Sequence, residues 1–222
     1  MFRRGAVVRS CLIAAGLMST AIVFAAPDEK STGDMDQNEK AVLEELNLAR
    51  TKPSEYASYV EEHKKSFKGP FVVVIDGRKT RTLEGIKAVD EAIAFLKKAD
   101  PVPALSASRP LTLSARDHVK DIGPRGMTGH AGTDKSQPAD RISRYGAPKT
   151  TSGEAIAFGP VSARSIVIQL IVDDGVAGRG HRKNVFDPDY QVAGIAIGPH
   201  TIHEHMCVIG FADQMDEKNV AR

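Results

Sequence analysis

The 222-residue chain has little cysteine and no tryptophan: two Cys, no Trp, and aromatic residues at 5%. Cys11 falls in an apolar leader, so after export only Cys207 remains and no internal disulfide can staple the fold. Cys207 sits in Met206-Cys207-Val208-Ile209, an apolar setting that reads as a buried small hydrophobe rather than a reactive thiol. The lack of Trp argues against a carbohydrate-stacking surface. Also missing are HExxH, GxSxG and the P-loop, which removes the common zinc-protease, serine-hydrolase and NTP readings. Strong charge is missing too. The net charge is +2, and losing a leader with three arginines and no acid takes it to −1. Such a surface gives no electrostatic reason to expect nucleic acid or anionic membrane as partner.

What is present begins with an export signal. Arg3, Arg4 and Arg9 precede an uncharged apolar run from Cys11 to Phe24, and Val23-Phe24-Ala25 offers a cleavage site after Ala25. A membrane anchor is the other reading, but the run is short of the ~20 residues that span a bilayer. We therefore expect a signal peptide at 1–25, a polar lead-in at 26–35, one domain at 36–213 and a tail at 214–222, with no transmembrane segment after cleavage. The location expected is secreted or periplasmic.

Asp36 and Glu39 have capping-box spacing before a helix to about Arg50, and Pro53 opens a second helix. Phe71–Ile75 reads as a strand, Asp76-Gly77 as a turn and Arg78–Thr82 as a short returning strand. Helical periodicity marks Glu84–Ala99 and the segment from Leu111 to Ile122. Arg125–Ser152 reads as a long irregular stretch, of the kind that is usually functional or mobile. Ser162 caps an apolar helix to Asp174, ended by Gly175. Two strands, Gln191–Ile197 and Met206–Ala212, close the chain around a connection at Gly198–His205. The class is α+β, with helices on both faces of a paired sheet.

Three ionisable residues directly follow glycines in or beside loops: His130, Glu154 and His181. Glycine lets the backbone turn sharply and present such a side chain into a cleft. Two imidazoles and a carboxylate can hold a divalent metal with open positions, or make an acid/base pair. Asp173 and Asp174 stand at a helix C-terminus, where the dipole disfavours carboxylates. Arg179 and Arg182 can offset this, either as an ion-pair cluster holding the 175–180 loop or with a role in the cleft. His200, His203 and His205 form a further group; it reads as a solvated hairpin connection, with a surface-bound metal as the alternative.

The ordered set Asn47-Leu-Ala-Arg50, Gly129-His130, Gly153-Glu154-Ala-Ile156, Gly180-His181-Arg182-x-Asn184 and Val192-Ala-Gly-Ile-Ala196 resembles the CAP superfamily (cysteine-rich secretory proteins, antigen 5 and pathogenesis-related proteins) in its bacterial SCP-like form. The resemblance covers roughly 36–213, with 64–103 as an insertion. It implies a three-layer α-β-α sandwich with a central, mostly antiparallel sheet. It also implies a cleft with two His and two acidic residues that can hold zinc. His130, Glu154 and His181 match three of these. The fourth is a Glu in the family; Asp173 is the nearest match here and Asp174 the next, and this shorter carboxylate weakens the case for full metal geometry. Ala155 also stands where Asn usually follows the Glu. The expected function is a secreted binding or effector module for a small-molecule or lipid ligand, or another extracellular protein. The alternatives are a zinc-dependent hydrolase, with His130 and His181 as metal ligands and Glu154 as base, and a non-catalytic structural or adhesion module of the envelope.

Overall fold

A computed structural model describes residues 35–217. The expected signal peptide, nearly all of the lead-in and the last five residues fall outside them.

Helix α1 (Gln37–Thr51) starts on the expected capping box. The Asp36 carboxylate accepts the Glu39 N–H at 2.8 Å and the Glu39 carboxylate accepts the Asp36 N–H at 2.9 Å. This satisfies two orphan donors, a contribution of about 1 kcal/mol. Pro53 opens α2 (Pro53–Lys65), where its missing N–H costs nothing. The hairpin β1 (Val72–Ile75) and β2 (Arg78–Arg81) turns at Asp76–Gly77 and leads to α3 (Ile86–Leu96), two-residue β3 (Ser106–Ala107) and α4 (Arg109–Ile122).

The 125–152 stretch is less irregular than expected. It holds α5 (Pro138–Ser143) and β4 (Gly146–Pro148), followed by β5 (Ser152–Phe158). α6 (Ala163–Val172) begins at Ser162, whose hydroxyl accepts the Ser165 N–H at 3.2 Å. It ends two residues before the expected Asp174, because Asp173 turns left-handed at φ 53°. A short α7 (Gly180–Val185) follows, then β6 (Val192–His200) and β7 (Glu204–Ala212), which shrink the expected 198–205 connection to a tight turn. Finally β8 (Met215–Glu217) pairs antiparallel with β4, so chain assigned to the tail joins a two-stranded sheet.

The central sheet runs β3-β6-β7-β5, antiparallel except for β3 beside β6. Strand alternation sorts its side chains into two faces. Ala155, Ala157, Ala193, Ile195, Cys207, Ile209 and Phe211 join one core with α1, α2, α3 and α6. Ile156, Ala196, Met206 and Val208 meet Ala115, Val119 and Ile122 of α4 on the other. This is the α-β-α sandwich, and Cys207 is a free, buried core thiol.

Two features set the distances between layers. α4 crosses the sheet over Gly194, cross-strand partner of Gly210, and a Cβ on Gly194 would run into the Thr112 amide and Leu111. On the opposite side Arg50 is fully buried, its guanidinium donating to the carbonyls of Pro103 (2.8 Å), Val185 (2.6 Å), Asp187 (3.0 Å) and Tyr190 (2.9 Å). Asn47, one turn earlier, both donates to Leu105 C=O and accepts its N–H. The Asn47–Arg50 motif thus pins α1 to the loops that lead into β3 and β6.

Candidate functional site

Glu154 lies on β5, the edge strand of the central sheet, and His130 lies on the loop after α4. Gly129 takes φ 101°, a conformation that disfavours any side chain, and this aims His130 back at the strand. His130 Nδ1 meets Glu154 Oε1 at 2.8 Å, while Arg141 of α5 donates to Glu154 Oε2 at 2.7 Å. The guanidinium also donates to the carbonyls of His130 (2.9 Å) and Ser136 (3.0 Å). The Glu154 and Arg141 side chains are 5% and 2% exposed, the His130 ring 46%. Glu154 therefore stands behind His130, with both oxygens already engaged.

A second pair mirrors the first. Asp173, left-handed at the end of α6, places Oδ1 2.7 Å from His181 Nδ1 and accepts the His181 backbone N–H on Oδ2 at 2.9 Å. Asp173 is essentially buried and the His181 side chain is 22% exposed. The two imidazoles face one another with ring centres 6.4 Å apart. A carboxylate oxygen only accepts, so each Nδ1 donates, and a neutral ring then presents Nε2 as an acceptor.

The two adjacent aspartates separate. Asp173 belongs to this cleft. Asp174 turns away and accepts the N–H groups of Leu83 (2.6 Å), Glu84 (2.8 Å) and Gly85 (3.0 Å) at the start of α3. The ion-pair cluster expected around the 175–180 loop exists alongside. Arg179 binds Glu84 and Glu91, and Arg182 binds Glu91 and the carbonyls of Ile171 and Val172. The guanidinium of Arg179 is the main reason the Glu84 carboxyl is held down to about 2.

Two further residues, Arg141 and the helix-face His118, were given no role in the site from the sequence. Arg141 neutralises Glu154 from a short helix opened by Pro138. His118, wholly buried on α4, has Nε2 2.9 Å from Gly129 C=O and so holds the loop that carries His130; burial lowers its pKa below the usual imidazole value. His200, read as part of a solvated connection, is buried instead. Its Nδ1 accepts the His203 N–H and its Nε2 meets Met127 C=O, so it organises the β6–β7 turn.

Among the described residues no group of three or more His, Cys, Asp or Glu side chains is arranged to hold a metal ion. Both carboxylates sit behind the imidazoles, which leaves two protein donors where a catalytic zinc takes three. Two imidazoles on one zinc bring ring centres to roughly 5–5.5 Å, closer than the 6.4 Å found. As arranged, the described residues offer two imidazole donors, one short of a catalytic zinc site.

Beside this cleft lies a cavity of about 240 Å³. His181 and Asp173 line one end of it; His130 and Glu154 do not.

With this geometry in place, the sequence matches the CAP (cysteine-rich secretory protein) family over residues 43–211, well over half of the chain. The chain belongs to the CAP family. Two solved structures resemble it at 17% identity. One is an extracellular SCP-domain protein of Bacillus anthracis (TM-score 0.42), where the match covers 58% of this chain and 40% of that one. The other is an outer surface protein of Borrelia burgdorferi (TM-score 0.43), where it covers 60% and 91%. The match thus spans less than half of the Bacillus protein's length. No curated protein matches the sequence. Among the described residues, no helix of this CAP-family chain is long and apolar enough to cross a membrane.

Proposed function

We propose that this CAP-family protein is exported and works outside the cytoplasm as a binding module, its ligand held between His130 and His181. One observation carries the reading: two partly exposed imidazoles face each other at 6.4 Å, each fixed at Nδ1 by a buried carboxylate. Fixing the tautomer costs entropy in advance and leaves two oriented acceptors, which suits a ligand bearing hydroxyl, amine or amide N–H donors. The apolar leader at 11–24 supports export. The hydrolase alternative loses support, because Glu154 is occupied by Arg141 and His130 and the metal donors number two.

A thermal-shift screen of small polar and lipidic compounds tests this. A ligand present at a hundred times its Kd stabilises by about 2.7 kcal/mol, a rise of roughly 5–10 °C for a domain of this size. We expect such a ligand to act on the wild type, with or without chelator, and to have no effect on His130→Ala or His181→Ala. A ligand that stabilises both variants as well as the wild type would place the binding elsewhere.

A further inference from the structure

The open edge of the central sheet carries a second recognition feature. In β5, the Gly159 N–H bonds to His205 C=O on β7, so odd-numbered residues pair inward and the N–H and C=O of 154, 156 and 158 point away from the sheet. Side-chain amides meet the outer two. Asn184 donates to Glu154 C=O at 2.9 Å. Gln169 accepts the Phe158 N–H at 3.2 Å and donates to Phe158 C=O at 3.1 Å, standing in for a peptide unit of a neighbouring strand. Between them, the outward N–H and C=O of Ile156 have no partner among the described residues.

Ile156 is 6% exposed and lines the 240 Å³ cavity. Apolar side chains form one part of the wall, Phe67, Val73 and Ile75 on the β1–β2 side, Val89 from α3, Leu170 and Val172 from α6, with polar and charged groups lining the remainder. A backbone donor and acceptor on one nearly buried residue, beside the apolar part of this wall, call for an occupant that returns both bonds and sets a hydrophobic group against that part. An acyl chain fills the space but leaves both polar groups desolvated and unmet. An extended peptide does both.

We propose that the cavity beneath the β1–β2 hairpin receives one or two residues of an extended peptide bearing an apolar side chain, which adds to the β5 edge at Ile156. The volume lies below the ~300–1,000 Å³ of drug-sized pockets, which limits the occupant to a short segment. Edge addition of this kind draws affinity from main-chain bonds and specificity from the side-chain pocket. Its polar continuation runs toward His181 and Asp173; this much rests on the binding cleft proposed above, whereas the contact at Ile156 does not.

The test uses capped tripeptides, acetyl-X-Leu-X-amide and acetyl-X-Phe-X-amide, titrated at up to millimolar concentration into the isotopically labelled 26–222 chain and followed by amide NMR. We expect the Ile156 amide to move downfield and its hydrogen exchange to slow at least tenfold. A peptide N-methylated at the central residue should bind at least tenfold more weakly. Thr80→Trp, an exposed position on the cavity wall, should block binding while leaving the melting temperature unchanged. In His181→Ala the Ile156 shift should persist. If the shift vanishes there too, the site is the cleft and the edge proposal fails. Retention of binding by the N-methylated peptide, no Ile156 response to any peptide, or occupation of the cavity by decanoate alone would each overturn it.

Discussion

Replacing Glu154 with Gln keeps shape and volume but removes a charge from a buried pair. In the wild type Glu154 Oε2 accepts from Arg141 at 2.7 Å with both side chains at or below 5% exposure, while Oε1 receives His130 Nδ1 at 2.8 Å. Gln retains one acceptor and places an NH₂ against a second donor, so either Arg141 or His130 loses its partner. Losing one charge-assisted hydrogen bond costs about 1.5–3 kcal/mol, and leaving a buried charge without its counter-ion brings the range to about 3–5 kcal/mol. The Arg141 carbonyl contacts persist, so we place Glu154→Gln near 3 kcal/mol, a fall in Tm of about 6–12 °C. A double-mutant cycle by thermal unfolding isolates the term. Adding Arg141→Met should recover at least ~1 kcal/mol relative to additivity, because the unpaired charge is gone. Strict additivity, or a single-mutant shift under 2 °C, would refute the idea that this pair forms the foundation under His130.

Three other outcomes follow from the geometry. Glu84 has its folded-state pKa depressed to about 2, chiefly by Arg179. Its contribution is therefore present above the unfolded value near ~4.3 and is lost as pH falls from there toward 2. Melting curves of wild type and Glu84→Gln should differ at pH 6, approach each other from about pH 4 downward and converge only below about pH 2; a constant difference would contradict this. Gly194→Ala must push α4 off the sheet, because the new methyl meets the Thr112 amide. Overpacking of this kind costs about 1–3 kcal/mol or more, visible as reduced expression or Tm, while Gly180→Ala, with nothing near its Cβ position, should be mild. Purified protein dialysed against zinc at pH 7.5 should hold no stoichiometric metal by elemental analysis, and chelator should leave Tm unchanged; one tightly bound zinc per chain would show that two imidazoles suffice to hold the metal here.

The helical layers were legible because their signals are local. Asp36 with Glu39, Pro53 and Ser162 mark helix starts through contacts made within one turn, and the apolar runs at 192–197 and 206–212 could only be buried strands. β5 was not legible as a strand. Its residues, Ser-Gly-Glu-Ala-Ile-Ala-Phe, are mostly small and polar at one end, and its partner lies some fifty residues away on β7. The same non-locality hid Arg141, whose meaning appears only when α5 is brought under β5. His130, Glu154 and His181 stood out as ionisable groups after glycines, and the structure brings all three together with Asp173. Sequence alone left Asp173 and Asp174 unresolved, because one left-handed residue at the end of α6 decides which carboxylate turns toward His181.

The most direct test of the cleft is the tautomer of its two imidazoles. Long-range ¹⁵N–¹H correlation spectra of the protein at pH 8.5 report which ring nitrogen carries the proton. With Glu154 and Asp173 each accepting from Nδ1, both His130 and His181 should show the Nδ1–H form, and Glu154→Gln should disturb His130 while leaving His181 unchanged. If either wild-type ring is found in the Nε2–H form, or the two exchange freely between tautomers, the carboxylates do not fix the rings. The proposed pair of oriented acceptors would then be wrong.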